Sequence, residues 1–148
     1  MSLRRSLATA GLITSAAMTL LAVAGCAGGG SGSDGSAAQD TEQGIPDDWD
    51  GPVPDPLTGQ PAAGWIDDDE FAVITMGSGS CPPVPSEPEV TSPGEMRIEF
   101  GPSPNEVCTA DMSPTTHVFA LPAELIDRPI TVTITYTDYD EVYELELP

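Results

Sequence analysis

The eight residues ITVTITYT, positions 130–137, show the most regular pattern in the chain. An apolar or aromatic side chain alternates with threonine at every position. A period of two puts all of the apolar side chains on one face of a β-strand, and β-branched residues favour that conformation. This segment therefore predicts a strand with one buried face.

The C-terminal residues continue the alternation. Tyr143, Leu145 and Leu147 are separated from one another by glutamates, and the polar residues 138–140 separate them from the strand before. Two alternating segments joined by a short polar stretch are typical of a β-hairpin. The sequence predicts that the chain ends in one.

Shorter segments of the same kind lie upstream, divided by proline and glycine. We expect strands at Phe71–Met76, around Val90, at Met96–Phe100 and at Val118–Leu121, with a turn at Ser92–Glu95 and one helical turn at Ala123–Ile126. Six or seven short strands predict an all-β fold, a small antiparallel immunoglobulin-like sandwich. A small β-barrel is the alternative, because strand number and alternation do not separate the two.

The charge of the chain is strongly acidic. It carries 24 acidic residues against four arginines and no lysine, for a net charge of −20. Arg4 and Arg5 lie at the very start, so the remainder carries two positive and 24 negative side chains, a net charge of −22. Binding to DNA or RNA depends on basic residues that neutralise phosphates. We therefore expect no nucleic-acid partner.

The first 25 residues have the layout of an export signal. Arg4 and Arg5 precede an apolar run at 7–23, and small residues follow. The segment Val23-Ala24-Gly25-Cys26 resembles the lipobox of bacterial lipoproteins. That resemblance implies cleavage before Cys26, lipid on its sulfur, and a chain anchored on the extracytoplasmic face of the cell membrane.

Two alternatives concern this N-terminal segment. The apolar run is about as long as the shortest membrane-spanning helices, so an uncleaved transmembrane anchor is one. Threonine and serine dilute its hydrophobicity, and such an anchor needs no cysteine at its end. Arg4-Arg5-Ser6-Leu7 also resembles a twin-arginine signal faintly, which leaves the export route open.

Three parts of the chain follow from these patterns. Residues 1–25 form the signal peptide, and residues 26–63 form the lipidated cysteine with a flexible tether rich in Gly, Ser, Pro and Asp. Within the tether we expect disorder to about Gly44 and a stiffer, extended stalk at 45–61. Residues 64–148 form the sandwich.

The other two cysteines are expected to be paired. Lipidation of Cys26 leaves Cys81 and Cys108 in a compartment where disulfides persist. A metal site or a reactive thiol pair is the alternative, but the short C-x-x-C spacing is missing. The segments 77–85 and 108–116 also resemble a pattern in small uncharacterised lipoproteins of high-GC Gram-positive bacteria, which implies the same pairing and carries over no other functional residue.

Few residues suggest catalysis. His117 is the only histidine, and a nucleophile arrangement would combine it with Asp111 and with Ser113, Thr115 or Thr116. These residues are strung along one segment rather than brought together from several. We therefore expect a surface histidine, no catalytic residue, and no enzyme.

Acidic runs at 47–50, 67–70 and 138–141 raise the question of calcium. None has the spacing of an EF-hand loop, so solvated turns are expected, with no metal and no cofactor. Trp65 is expected to anchor the core, and Trp49, in the stalk, to be free for contacts.

The sequence thus favours a membrane-anchored extracytoplasmic lipoprotein that serves as a non-catalytic binding or interaction module. Its partners would be the membrane, through Cys26, and an envelope protein or the wall. A small envelope hydrolase and a calcium-binding domain are the alternatives. A solute-binding lipoprotein is a third, although such proteins usually have two lobes and a longer chain.

Overall fold

A computed structural model describes residues 36–148. The signal segment, Cys26 and the first part of the tether lie outside the described residues. The described part of the chain forms nine strands and no helix. In chain order the strands are β1 (Asp40–Gln43), β2 (Ala62–Trp65), β3 (Glu70–Gly77), β4 (Val84–Pro85), β5 (Glu89–Ser92), β6 (Glu95–Gly101), β7 (Ser113–Ala120), β8 (Ile130–Tyr136) and β9 (Val142–Leu147).

These strands divide into two sheets. The first sheet has the order β1-β7-β3-β2, and all of its pairs are antiparallel. The second has the order β4-β6-β8-β9, with β5 also paired to β6. Between residues 36 and 148 the two sheets stay separate and share one core. The predicted all-β, two-layer sandwich is therefore confirmed over the small barrel.

One strand pair departs from the expected antiparallel arrangement. β6 and β8 run parallel, with Met96 opposite Val132 and Phe100 opposite Tyr136. Between them the chain crosses to the first sheet as β7 and then returns to the second sheet in its earlier direction. Periodicity predicts where strands lie, but it carries no information on their relative direction.

The predicted strands are all present, and β7 is longer than expected. It begins at Ser113, whereas the apolar pattern begins at Val118. The extra half of the strand is polar, yet Thr115, Thr116 and His117 are buried in it. Because buried polar side chains need hydrogen-bond partners rather than apolar neighbours, their burial leaves no hydrophobic pattern in the sequence.

The hydrophobic core lies between the sheets. Phe71 of β3 and Phe119 of β7 stack with ring centroids 5.3 Å apart. The second sheet contributes the alternating apolar residues that the sequence analysis identified. Its buried members are Met96, Ile98, Phe100, Ile130, Val132, Ile134 and Leu147.

The folded part of the chain begins well before the expected boundary at residue 64. The Ala37 N–H donates to the Pro85 carbonyl at 3.1 Å, Ala38 packs against the core, and β1 pairs with β7 along its whole length. The predicted disorder therefore does not hold for residues 36–44. A four-residue polar strand at a sheet edge is held by backbone hydrogen bonds, so it shows no apolar alternation.

Trp49 is packed onto the first sheet rather than free. A Cβ atom placed on Gly64 of β2 would lie 2.6 Å from Cη2 of the Trp49 ring, so the indole rests directly on that glycine. The indole N–H donates to the Pro52 carbonyl at 3.0 Å. The expectation that Trp49 is available for contacts is wrong, because the ring covers a glycine gap in a neighbouring strand.

This packing extends the buried region to the outer face of the first sheet. Ala72 and Ile74 alternate with the core residues of β3 and so point away from the core, yet both are fully buried. Thr116 on the same face donates its hydroxyl to the Gly44 carbonyl at 2.7 Å. The segment expected to be a stalk is therefore a cover for this face.

Candidate binding site at the tyrosine end

The three tyrosines of the chain gather at one end of the sandwich. Tyr136 ends β8, Tyr143 lies in β9, and Tyr139 lies in the turn between them. The rings of Tyr136 and Tyr139 stack with centroids 4.4 Å apart, while Tyr143 meets Tyr136 edge to face at 6.3 Å. Phe100, 5.7 Å from Tyr136, connects these rings to the core. We term the three tyrosines the tyrosine cluster.

A cavity of about 330 Å³ opens beside the tyrosine cluster. Its walls include Tyr136, Tyr139, Met76 and the bonded cysteines Cys81 and Cys108. Aromatic and sulfur-bearing walls with a few polar groups are typical of ligand sites, and this volume lies near their lower limit. Because Tyr139 is 44% exposed, solvent reaches the cavity along this ring.

The charge around the cavity is negative. Asp138 is the charged residue in its wall, and Glu141 accepts a hydrogen bond from the Tyr143 hydroxyl at 2.7 Å. That hydrogen bond raises the pKa of Tyr143 to about 12, and burial raises the pKa of Tyr136 above its ordinary value. All three phenols are thus protonated at neutral pH. The site presents uncharged ring faces beside carboxylates.

The predicted disulfide forms one wall of the cavity. Cys81 and Cys108 are bonded, with Cα atoms 5.3 Å apart and a sequence separation of 27. Hydrogen bonds join the same two segments, because the Asn105 side-chain amide donates to the Ser80 carbonyl at 2.7 Å and the Thr109 N–H donates to the Ser80 hydroxyl at 2.8 Å. The wall is therefore held both covalently and by polar contacts.

Asp111 accepts hydrogen bonds that stabilise the segments around the disulfide. Its carboxylate accepts hydrogen bonds from the hydroxyls of Ser113 and Thr109, and from the Gly79 N–H at 3.3 Å. These bonds, the one from Ser113 foremost, lower the pKa of Asp111. Since Gly79 and Thr109 lie beside the two cysteines, the carboxylate ties together the segments that the disulfide joins.

His117 lies in the core, so the prediction of a surface histidine is wrong. Its Nε2 is 3.1 Å from the Thr75 hydroxyl, its Nδ1 is 3.5 Å from the Thr41 hydroxyl, and its ring meets Phe100 edge to face. Burial lowers its pKa to about 4, which keeps the imidazole neutral at neutral pH. Two hydroxyl partners allow a polar ring to be buried there.

The imagined nucleophile arrangement is not brought together by the fold. Ser113 and His117 lie four residues apart on one strand, a separation of roughly 13 Å. The Ser113 hydroxyl donates to Asp111, and Thr116 points to the opposite face of the sheet from His117. The fold therefore brings Ser113 to Asp111 but keeps Ser113 away from His117.

The opposite end of the sandwich holds a second aromatic site. The Arg128 guanidinium carbon lies 3.9 Å from the centroid of the Trp65 ring, and the Trp65 indole donates to the Pro148 carbonyl at 2.9 Å. Asp67 and Asp68 lie in the same cavity wall as these residues. Trp65 also packs against the core, as predicted. We term this site the tryptophan end.

The acidic runs lie in turns and in the covering segment. Residues 67–69 connect β2 to β3, residues 138–141 connect β8 to β9, and residues 47–50 flank the packed Trp49. Across residues 36–148, no group of three or more His, Cys, Asp or Glu side chains is placed to hold a metal ion.

The tyrosine cluster was missed in the sequence analysis, although one signal for it exists. The register of the terminal hairpin places Tyr143 opposite Ile134, and hence on the same face as Tyr136. The other walls of the cavity come from distant parts of the chain, which periodicity does not connect. Hairpin register could have revealed the aromatic pair, but not the cavity.

No helix among residues 36–148 is long and apolar enough to cross a membrane. No protein-family model, curated protein or solved structure matches this chain.

Proposed function

We propose that the protein is a lipid-anchored extracytoplasmic lipoprotein whose sandwich is a non-catalytic binding module of the cell envelope. The observation that carries this proposal is the Cys81–Cys108 disulfide. It uses two of the three cysteines and leaves Cys26, at the lipobox, for the lipid. Disulfides persist in the compartment to which the signal segment would send the chain.

The proposed anchor is physically sufficient. Each buried CH₂ group of an acyl chain contributes about 0.8 kcal/mol to membrane binding, so two or three chains hold a protein stably where one does not. The acidic sandwich would add no attraction to anionic head groups. Attachment therefore depends on Cys26 alone.

The binding role is supported by what the solvent can reach. The cavity beside the tyrosine cluster is open, with aromatic walls and a carboxylate. His117, the only histidine, is neutral and fully buried, so a ligand in solvent does not meet it. An envelope protein or the wall would contact the module at the open site rather than in the core.

The anchor is tested by metabolic labelling with an alkyne fatty acid, using the full-length chain in a Gram-positive host. Cys26→Ala should abolish labelling and leave an unprocessed precursor, because the lipid attaches to that sulfur. The matched control is the double variant Cys81→Ala/Cys108→Ala, which should keep the label. Normal labelling of Cys26→Ala would contradict the proposed anchor.

The non-catalytic role is tested by complementing a strain that lacks the gene and shows a phenotype. Removal of residues 36–148 with the anchor retained should abolish complementation, whereas His117→Gln should preserve it. Loss of complementation in His117→Gln, with folding and surface level shown to be intact, would contradict a non-catalytic module.

A further inference from the structure

We propose that the cavity beside the tyrosine cluster binds a basic side chain, arginine foremost, presented by a partner protein of the envelope. This inference rests on the proposed binding role, and it is independent of the lipid anchor. It assigns to the cavity a ligand chemistry and a kind of partner.

The chemistry of the walls favours a cation. The face of an aromatic ring carries partial negative charge and attracts ammonium or guanidinium groups within about 6 Å of its centroid. Tyr136 and Tyr139 stack on each other, so the ring face open to a cation is the outer face of Tyr139, and Asp138 supplies a full negative charge in the same wall. Met76 and the disulfide add polarisable sulfur atoms that suit the apolar stem of a long basic side chain.

Charge complementarity points to the same ligand. After Cys26 the chain carries two basic residues, Arg97 and Arg128, against 24 acidic ones. Neither arginine lines this cavity: Arg97 is on the exposed side of β6, and Arg128 covers Trp65. The field of the sandwich therefore attracts cationic partners and repels anionic ones.

At the tryptophan end, the chain itself supplies the cation that binds an aromatic ring. There a guanidinium lies 3.9 Å from the centre of an aromatic ring, with Asp67 and Asp68 in the surrounding wall. The tyrosine cluster repeats this combination of rings and carboxylates without an arginine among its wall residues. A cavity of about 330 Å³ is suited to one side chain and its immediate neighbours rather than to a long polymer.

The test uses the full-length chain in detergent micelles with ¹³C-labelled tyrosine, which gives ring signals from only three residues. The probe is the peptide acetyl-Gly-Arg-Gly-amide, and the matched control carries citrulline, which keeps the shape but not the charge. We expect the arginine peptide to shift the signals of Tyr136 and Tyr139 saturably. The citrulline peptide should bind about fivefold more weakly.

Variants locate the site. Tyr139→Leu should weaken binding about fivefold through loss of a ring face, and Asp138→Asn about threefold through loss of one charge. Asp67→Asn, which removes the same charge at the opposite end, should leave binding unchanged.

Three results would overturn the inference. Equal binding of the citrulline peptide would exclude recognition of charge, and equal weakening by Asp67→Asn would indicate a diffuse field. Tighter binding of choline than of the arginine peptide would assign the cavity to a small cation instead of a partner's side chain. Labelling at Cys26 reports separately on the anchor, so failure of either proposal can be told from failure of the other.

Discussion

Both ends of the sandwich combine aromatic rings with carboxylates, and they differ in where the cation comes from. At the tryptophan end, Arg128 of the chain itself covers the Trp65 ring. At the tyrosine end, the wall of the cavity contains rings, sulfur atoms and Asp138, with no basic residue among them. An aromatic ring that the chain's own cation covers contributes to stability, whereas one facing an open cavity can recognise something else.

The two ends also differ in how they are closed. The tyrosine end is fixed by the Cys81–Cys108 disulfide, while the tryptophan end depends on non-covalent contacts such as the bond from Trp65 to the Pro148 carbonyl. We expect removal of the disulfide by Cys81→Ala/Cys108→Ala to have the largest effect on stability. Freeing a loop of 27 residues should lower the free energy of unfolding by about 3 to 4 kcal/mol.

Urea denaturation of the double variant measures this loss. In protein produced without lipid, Cys26→Ala is the matched control, since there it also removes a thiol but leaves the loop closed. If the loss of stability is confined to the tyrosine end, the Trp65 indole signal should be preserved. That result would sharpen the comparison between the two ends. An unchanged urea midpoint would show that the disulfide contributes nothing to the fold.

Gly64→Ala should cause the next largest loss of stability. An added methyl group would meet the Trp49 ring at 2.6 Å, and overpacking of this kind typically costs up to about 3 kcal/mol. Gly77, at the tyrosine end, has no atom within 4 Å of an added Cβ, so Gly77→Ala is the matched control. Equal thermal unfolding of the two variants would contradict the role of Trp49 as a cover for the sheet.

His117 should make stability depend on pH. Its pKa falls from 6.5 in the unfolded chain to about 4 in the core, so the unfolded state binds more protons between these values. Stability should therefore decrease as pH falls, by about 2 kcal/mol between pH 7 and pH 5. His117→Gln, which cannot titrate, should lose this dependence.

The measurement is the difference in urea midpoint between the two proteins at each pH. A difference is needed because it cancels every pH-dependent contribution that the two proteins share. Parallel pH profiles for the two proteins would show that His117 is not buried in its neutral form.

Removal of Arg128, the cation that covers Trp65, should have the smallest effect on stability. It tests the comparison between the two ends of the sandwich most directly. Arg128→Gln should lower the free energy of unfolding by about 0.5 to 1 kcal/mol, the contribution of an exposed cation–π contact. It should also uncover the Trp65 ring, so that the arginine peptide newly shifts the Trp65 indole signal. Arg97→Gln, on the exposed face of β6, should do neither.

The sequence predicts a strand well where one face of that strand is buried and the other is exposed to solvent. Residues 130–136 and 143–147 are such segments, and both match strands of the structure. β1 was not predicted, because an edge strand can be held by its backbone alone. Ser113–His117 was not predicted as strand, because its burial depends on hydrogen bonds between polar groups.

The cover on the outer face of the first sheet was not predicted, although the sequence contains a signal for it. The run at 71–76 is apolar on both faces of its strand, which indicates that something covers each face. With the core on one side, the cover for the other side had to come from elsewhere in the chain, and residues 44–61 provide it. The candidate site was harder to predict, because its walls depend on how distant loops meet.

The point where the chain joins the sandwich limits how far the module can travel. Ala37 bonds to Pro85, and Ser36 shares a small cavity with Pro83, which also lines the cavity of the tyrosine cluster. Ser36 lies ten positions after Cys26, and such a length spans at most about 35 Å. If Cys26 carries lipid, as we propose, the start of the sandwich at Ser36 stays within this distance of the bilayer surface. The partner must then present its basic side chain close to the membrane.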